Sequence, residues 1–318
     1  MCKRECFAWV FGEEHRSLEL NEGLAREVLL QGREQAQRLA SLSIDEIVHD
    51  LAEAGKLWRR GEPFYEEASV KLSEALPFSR EMVEHSLDFL AELLDREELL
   101  KRLRIELGSS RVLDQWVDIE GYEGLVRAKP LGVLLHVSAG NVFLGALDSM
   151  VQGFLTKNVG IVKMSRVDPV FPILFARSLK AVNEESPLSD YLALLHWPGG
   201  SSDIERVFKQ GVDGVLLWGG KQAVAAYRSS LGENTALIEH GPKMSFALIL
   251  REALDEDAPG TAKKLAHDVV LWDQAACASP QMAYVEAPFE RVEEFARLLE
   301  EEMKSLAEKL PPGELSLH

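Results

Sequence analysis

The sequence predicts an α/β protein with a doubly wound parallel sheet, preceded by a helical layer and followed by a second α/β unit. Apolar residues recur at helical spacing from Asn21 to Leu107, with charged residues between them. Short apolar segments then alternate with helical ones, beginning with GVLLHV at 132–137 and VGIVKM at 159–164. Such short, nearly continuous apolar runs are typical of strands that helices cover on both faces. The alternation therefore predicts parallel strands joined by helices.

The N-terminal region is predicted to be a layer of four or five antiparallel helical segments. Ser43 followed by Glu46 is the pattern of a capping box at a helix start. Pro63 and Pro77 interrupt the helical pattern, and Gly108 supplies a stop signal. We expect this helical region to cover residues 1–110.

Residues 111–241 are predicted to form the doubly wound, Rossmann-type sheet. A hairpin around the turn EGYEG comes first. The strands GVLLHV, VGIVKM, YLALLHW and VDGVLLW then alternate with helices, which start near Val142, after Pro169, at Asp203 and after Lys221. Ligands bind such a sheet at the carboxyl ends of its strands, so the residues that follow each strand are the candidates for chemistry.

Residues 242–318 are predicted to form the second α/β unit. It consists of the strand SFALIL, a helix over 262–270, the segment WDQAACASP, the strand QMAYVE and a charged helix over 289–310. The sequence contains no internal repeat. No long linker separates this unit from the preceding region.

The composition excludes several classes of partner. Of the 318 residues, 46% are hydrophobic and 27% are charged, which is typical of a globular protein with a real core. The net charge of −17 disfavours nucleic acid and anionic membranes. Three cysteines are too few for a disulfide framework, and no segment resembles a signal peptide or a membrane span, so we expect a cytosolic protein. Cys2 and Cys6 lack a second pair at ligand spacing, so we expect no metal site.

Polar residues follow the first two strands of the predicted sheet. Asn141 comes after GVLLHV at a helix start, where its amide either donates to a developing oxyanion or caps the helix, the commoner role. Lys163 lies at the end of the next strand, VGIVKM, and Ser165 and Arg166 follow that strand. Cations there suit the anionic end of a dinucleotide, and an Arg in place of an acidic residue favours a 2′-phosphate and therefore NADPH. The alternative is a pair of surface cations at a strand end.

Two further strand ends carry candidates. Gly219 and Gly220 follow VDGVLLW and open a helix, where their backbone could approach a pyrophosphate or simply form a turn. Glu239 and His240 lie past another strand, as acid–base candidates or as solvated loop residues. For the histidines inside apolar strands, the sequence favours core residues with satisfied ring nitrogens over metal ligands. These are His136 and His196.

Cys277 lies among small residues in DQAACASPQ, between a helix and a strand. Small neighbours leave room for a substrate carbonyl at the sulfur and let backbone N–H groups reach its oxygen. The alternative is a cysteine that serves as a small hydrophobic residue. The order of the candidates along the chain favours Cys277 as a nucleophile. An amide, a cation, a glycine pair, a glutamate and a cysteine follow one another, each at a strand edge.

This order of motifs resembles the aldehyde dehydrogenase superfamily, and within it the fatty acyl-CoA reductase (LuxC) family, which makes the aldehyde of bacterial luminescence. The resemblance covers residues from about 126 to 286. The matching stretches are KPLGVLLHVSAGNVFLGALDSMVQGFLTKNVGIVKMS, VDGVLLWGGKQAV, IEHGPKMS and DQAACASPQMAYVE. Two departures are GPK in place of the commoner GGK, and a chain end before the further strands of the family's catalytic domain.

The resemblance implies an aldehyde dehydrogenase-like fold whose second unit is the start of a truncated catalytic domain. It also implies roles for five residues. They are the oxyanion amide Asn141, the cofactor-ribose lysine Lys163, the pyrophosphate loop at Gly219, the family glutamate Glu239 and the nucleophile Cys277. Arg166 falls where NAD-preferring members often carry Glu, which agrees with NADPH as cofactor.

The function that the resemblance implies is NADPH-dependent reduction of a long-chain fatty acyl-CoA, or of an acyl-protein, to the aldehyde. The expected partners are an acyltransferase and an acyl-protein synthetase, and the expected full-length form is a homo-oligomer. Two alternatives stay open. One is an NAD(P)-dependent aldehyde dehydrogenase in which Glu239 activates water. The other is a non-catalytic fragment that accepts acyl groups or serves in assembly.

Overall fold

A computed structural model describes residues 7–241 and 243–314 of the chain. The chain divides into two compact units. The sheet unit comprises Met1–Lys71 and Leu87–Gly241, and the C-terminal unit comprises Leu72–Ser86 and Pro242–His318. The predicted absence of a metal at Cys2 and Cys6 concerns positions outside the described residues.

The sheet unit begins with an antiparallel hairpin of strands β1 (Phe7–Val10) and β2 (Glu13–Arg16). Trp9 is buried in it and donates its indole N–H to the backbone oxygen of Ser189 at 2.9 Å. The sequence analysis did not predict this hairpin. A short apolar run such as FAWVF has no alternation, and periodicity alone cannot distinguish such a strand from a buried helical segment.

Five helices follow within residues 22–107, as the helical spacing predicted. They are α1 (Glu22–Ser41), α2 (Ile44–Lys56), α3 (Pro63–Ala75), α4 (Arg80–Leu93) and α5 (Arg96–Leu107). The capping box is confirmed, because Ser43 Oγ accepts the N–H of Glu46 while the Glu46 carboxylate accepts the N–H of Ser43. Gly108 ends α5 in the left-handed region at φ +76°, as predicted for a stop.

The predicted hairpin before the main sheet is present with shorter strands, β3 (Val117–Asp118) and β4 (Leu125–Val126). Strands and helices then alternate as predicted. They are β5 (Val133–Val137), α6 (Phe143–Leu155), β6 (Val159–Lys163), α7 (Phe171–Val182), β7 (Leu192–Leu195), α8 (Ser202–Gly211), β8 (Gly214–Trp218), α9 (Lys221–Arg228) and β9 (Ala236–His240).

In the described part of the sheet unit, the main sheet has the strand order β2-β1-β7-β6-β5-β8-β9. Strands β5 to β9 run parallel, whereas β1 joins β7 antiparallel. The chain winds from β5 outward to β7 and then returns to β8 on the other side of β5, so the sheet is doubly wound. The fold-class prediction is confirmed. The winding direction reverses between β5 and β8, which is where such sheets bind their ligands.

Helices α1 and α2 pack against the sheet and its helices within the sheet unit. Helix α1 contacts β5, β6 and α8, and α2 contacts α6 and α7. Trp58 donates its indole N–H to Ser178 Oγ at 2.9 Å. Lys157 is buried, adopts a left-handed backbone at φ +57°, and donates to Asp114 Oδ1 at 2.5 Å and to the backbone oxygen of Leu42 at 2.6 Å.

The C-terminal unit contains β10 (Ser245–Ile249), α10 (Arg251–Val270), β11 (Pro280–Val285) and α11 (Phe289–Lys309). Strands β10 and β11 are parallel and pack with both helices around a small apolar core. The helix predicted over 262–270 is longer, and its first part is separated by a non-helical Asp257 two residues before Pro259. A proline within a helix removes a hydrogen bond, which accounts for the interruption.

Helices of sufficient length and hydropathy to cross a bilayer do not occur in residues 7–241 and 243–314. The same residues contain no group of three or more His, Cys, Asp or Glu side chains arranged to hold a metal ion.

Candidate cofactor and catalytic site

The ends of the parallel strands in the sheet unit are tied together by backbone hydrogen bonds. Ser138 N–H, just after β5, donates to the oxygen of Lys163 at the end of β6 at 3.2 Å. Gly219 N–H, just after β8, donates to the oxygen of His240 at the end of β9 at 3.3 Å. The predicted residues after these strands therefore lie along one carboxyl edge, as the parallel topology requires.

Asn141 lies in the loop after β5 and is exposed. A Cβ built on the preceding Gly140 would collide with Ser165 Oγ and lie against Val167, so this loop packs against the loop after β6. The N-cap of α6 is Val142, which makes no side-chain capping bond within the described residues. Asn141 therefore lies one position before the N-cap of α6.

Lys163 is the last residue of β6 and its side chain is only 15% exposed. Its ammonium donates to Glu205 Oε1 at 3.1 Å and lies 5.1 Å from the ring centre of Trp197. The other carboxylate oxygen of Glu205 accepts from Lys209 Nζ at 3.1 Å. Burial raises the pKa of Glu205, but the hydrogen bonds from the two lysines outweigh it and leave that pKa below its usual value. Lys163 therefore carries a charge that Glu205 partly balances.

The loop after β6 continues through Ser165, whose Oγ accepts the N–H of Val167 at 3.1 Å, and the exposed Arg166. It ends at Asp168, which caps α7 by accepting the N–H groups of Val170 at 3.2 Å and Phe171 at 2.9 Å. Burial raises the pKa of Asp168 to about 6, although these backbone hydrogen bonds lower it. The loop that carries the predicted cation Arg166 thus ends at a buried carboxyl group that the sequence analysis did not identify.

Gly219 and Gly220 connect β8 to α9, and Gly220 is the N-cap of that helix. A Cβ built on Gly220 meets none of the described atoms within 4 Å, so the helix N-terminus is open. Open N–H groups at a helix N-terminus, at the edge where the winding reverses, fit the pyrophosphate of a dinucleotide. At the same edge, the rings of Trp218 and His240 stack with their centres 3.9 Å apart.

Glu239 was expected beyond a strand, but it is the second-last residue of β9. Arg228 at the end of α9 donates to both of its carboxylate oxygens, at 2.6 and 2.7 Å. Successive strand residues point to opposite faces, so Glu239 and His240 face opposite sides of the sheet. The two acid–base candidates therefore do not share one surface.

The prediction of buried core histidines is confirmed for His136, whereas His196 is only partly buried and follows the last residue of β7. His136 is buried in β5, its Nδ1 lies 2.7 Å from Ser149 Oγ, and burial lowers its pKa to about 4. Its Nε2 contacts no polar partner in the described part of the chain, and the same holds for Nδ1 of His196. His136 is therefore a neutral core residue.

Cys277 lies in the C-terminal unit, in the exposed loop before β11. Its backbone oxygen accepts a hydrogen bond from Ser245 Oγ at 2.6 Å, which ties the loop to β10. The loop begins with three consecutive left-handed residues, Trp272, Asp273 and Gln274, at φ between 50° and 61°. Such a run is costly for non-glycine residues.

The start of this loop is anchored within the same unit. Trp272 donates its indole N–H to Ser86 Oγ at 2.8 Å, and Asp273 Oδ2 accepts the N–H of Gly313 at 3.1 Å. These contacts hold the strained residues in place ahead of the thiol.

A family model described as acyl-CoA reductase (LuxC) matches residues 39–318. The chain belongs to the LuxC family. The long-chain acyl-protein thioester reductase of Vibrio harveyi is 32% identical over 282 residues, which cover 87% of this chain and 57% of that protein. The protein of the same name from Photorhabdus laumondii is 29% identical over 273 residues, covering 85% of this chain and 55% of that protein. The chain thus spans little more than half of these relatives.

Solved structures show that this LuxC-family chain has an aldehyde dehydrogenase-like fold. Aldehyde dehydrogenase C of Pseudomonas syringae, solved with NAD+ and octanal, superposes with a TM-score of 0.71 at 13% identity, covering 95% of this chain and 62% of that one. The NADP-dependent glyceraldehyde-3-phosphate dehydrogenase of Bacillus halodurans, solved with NADP, gives 0.65 at 14% identity, covering 98% and 66%.

In this LuxC-family chain, the sequence analysis missed Glu205, which accepts from the predicted ribose lysine, and Lys209, which donates to Glu205. The signal available was their i, i+4 spacing on a helix, which is typical of an ion pair. It also missed Arg228, which contacts Glu239 across a turn and a strand. None of the three follows a strand directly, which was the criterion for a candidate residue.

Proposed function

We propose that this chain carries the nucleophile and the cofactor site of an enzyme that reduces a long-chain acyl thioester to the fatty aldehyde with NADPH. The observation that carries the proposal is Cys277, an exposed thiol in the loop before β11 of a LuxC-family chain. The acyl donor is an acyl-CoA or an acyl-protein, because both are thioesters. An acyltransferase and an acyl-protein synthetase are the proposed partners, and a homo-oligomer is the proposed full-length form.

In the proposed mechanism, the Cys277 thiolate attacks the acyl carbonyl carbon. The bond from that carbon to the donor sulfur breaks, the donor leaves as a thiolate that takes a proton from solvent, and an acyl-enzyme thioester remains. The Cys277 N–H donates to the oxyanion and contributes about 3 kcal/mol, and a second oxyanion donor at Asn141 stays a prediction from the sequence. The chemistry that a nicotinamide cofactor would supply when bound is hydride for the acyl-enzyme carbon. Collapse of the thiohemiacetal anion then releases the aldehyde and restores the Cys277 thiolate.

The proposed cofactor is NADPH, held at the carboxyl edge of the sheet unit. The open N-terminus of α9 at Gly219 and Gly220 would hold the pyrophosphate, and Lys163 would bind the ribose. Ser165 and the exposed Arg166 lie just beyond, where an Arg suits a 2′-phosphate.

The contacts of Glu239 support reduction over oxidation with hydrolysis. A hydrolytic enzyme needs a carboxylate free to activate water. The Glu239 carboxylate is bound through both oxygens by Arg228. Reduction of a thioester needs no activated water, so this pairing is compatible with the reductive direction.

The test is acylation of the chain by a long-chain acyl-CoA, followed by intact-mass and peptide mass spectrometry. We expect one acyl group on Cys277, its loss in Cys277→Ala, and its retention in Cys2→Ala and Cys6→Ala as matched controls. NADPH added to the acylated chain is expected to be oxidised as aldehyde forms. Acylation that persists in Cys277→Ala would exclude the mechanism. Stoichiometric acylation without NADPH oxidation would instead support the acyl-accepting alternative.

A further inference from the structure

A chain of three charged side chains lies at the proposed ribose site. Lys163 Nζ donates to one oxygen of Glu205, and Lys209 Nζ donates to the other, both at 3.1 Å. The side chains of Lys163, Glu205 and Lys209 are 15%, 14% and 6% exposed. The burial of this Lys–Glu–Lys group distinguishes it from a surface ion pair, which is screened by solvent.

Glu205 is held in place from the side opposite Lys163. Lys209, on the same helix, also donates to the backbone oxygen of Ala226 at 3.3 Å and lies 4.2 Å from the ring centre of Tyr227. The N–H of Gly200 approaches Glu205 Oε1 at 3.4 Å. A carboxylate fixed in this way cannot swing out into solvent at little cost when a ligand approaches Lys163.

The position of Glu205 bears on the choice between the two nicotinamide dinucleotides. NADP differs from NAD by a phosphate on the ribose 2′-oxygen, and an acidic side chain at that ribose favours the free hydroxyl, whereas a cation favours the phosphate. Lys163 ends β6 and Arg166 follows it in the loop, and Glu205 partly neutralises Lys163.

Building on the function proposed above, we propose that Glu205 is a specificity-determining residue of the cofactor site. Its carboxylate opposes the 2′-phosphate of NADPH and provides an acceptor for the 2′-hydroxyl of NADH. Arg166 and Glu205 therefore act in opposite directions, and the balance between them sets the preference for NADPH.

The experiment measures the dissociation constants of NADPH and NADH for this chain by isothermal titration calorimetry, in wild type and in Glu205→Gln. Removal of one negative charge beside a 2′-phosphate is expected to raise the ratio of the NADH constant to the NADPH constant about tenfold. Asp203→Asn is the matched control, because Asp203 lies in the first turn of the same helix and its side chain is 65% exposed beside Arg206. We expect it to change the ratio by less than about twofold.

Glu205→Asp keeps the charge and is expected to keep the wild-type ratio, which separates an electrostatic effect from a packing defect. Circular dichroism spectra confirm the fold of each variant. Binding of both dinucleotides with an unchanged ratio in Glu205→Gln would overturn the inference alone. Failure of the wild-type chain to bind either dinucleotide would overturn the proposed cofactor function and this inference with it.

Discussion

Replacing Asp168 by asparagine is expected to change how folding stability depends on pH. The Asp168 carboxyl group is buried at the start of α7, where it accepts N–H groups from Val170 and Phe171. Its second oxygen contacts no donor in the described residues. Asparagine keeps an acceptor oxygen for the two N–H groups and removes the ionisation.

The magnitude follows from the shift in the pKa of Asp168, from 3.8 to about 6 on folding. The folded state holds the proton more tightly, so this contribution to stability is complete below 3.8 and is lost as the pH rises through about 6. Each unit of pKa shift corresponds to about 1.4 kcal/mol, so wild type is expected to lose about 2.5 kcal/mol from this group between about pH 4 and pH 8. The Asp168→Asn variant lacks this loss. Other titrating groups contribute equally to both proteins and cancel.

The assay is urea unfolding followed by tryptophan fluorescence, at several pH values on either side of the isoelectric point of about 5.0. The free energy of unfolding of Asp168→Asn minus that of wild type is expected to rise by about 2.5 kcal/mol from pH 4 to pH 8. Any constant cost of burying the new amide cancels in this comparison. Asp118→Asn, at an exposed position, is the control and is expected to show a flat difference. A flat difference for Asp168→Asn as well would refute the reasoning.

Two other buried groups give further predictions. The pKa of His136 falls from 6.5 to about 4 on burial, so its contribution is complete above 6.5 and is lost as the pH falls toward 4. Between pH 7 and pH 4, wild type is therefore expected to lose about 3 kcal/mol of its free energy of unfolding from this group, and His136→Leu is expected to lack that loss in urea unfolding. The same decrease in both proteins would contradict this prediction. Lys157→Met leaves Asp114 without its buried cation and is expected to lower the free energy of unfolding by about 2 kcal/mol. Lys101→Met, at an exposed ion pair, should cost less than about 0.5 kcal/mol, and equal losses would refute the assignment.

The sequence predicted the parallel core of the sheet because buried strands leave a local signal. The runs GVLLHV and VDGVLLW are apolar on both faces and are bounded by turns, so their position is visible without any tertiary information. The N-terminal hairpin was missed because its strand β1 is stabilised by pairing with β7, more than 180 residues later in the chain. The break in α10 at Asp257 was likewise not predicted, although Pro259 marks it.

The candidate site was predictable to the extent that its residues follow strands. Lys163 and Gly219 could be located in this way because topology alone brings strand ends to one edge. The partners of these residues could not be found, because the contact of Glu205 with Lys163 spans 42 positions and depends on how α8 packs. Asn141 lies one position before the N-cap because α6 begins at Phe143, one residue later than the pattern suggests.

The three left-handed residues ahead of Cys277 set a limit on how the protein can be engineered. Each costs about 1 kcal/mol or more relative to glycine, so the loop holds several kcal/mol of backbone strain that the rest of the unit must offset. Glycine at position 274 would relieve part of that strain and would also widen the range of backbone conformations three residues before the thiol. Thermal stability and the precise placement of the Cys277 thiol, the proposed nucleophile, are therefore opposed in this loop. A search for stabilising substitutions is better directed to the helical region.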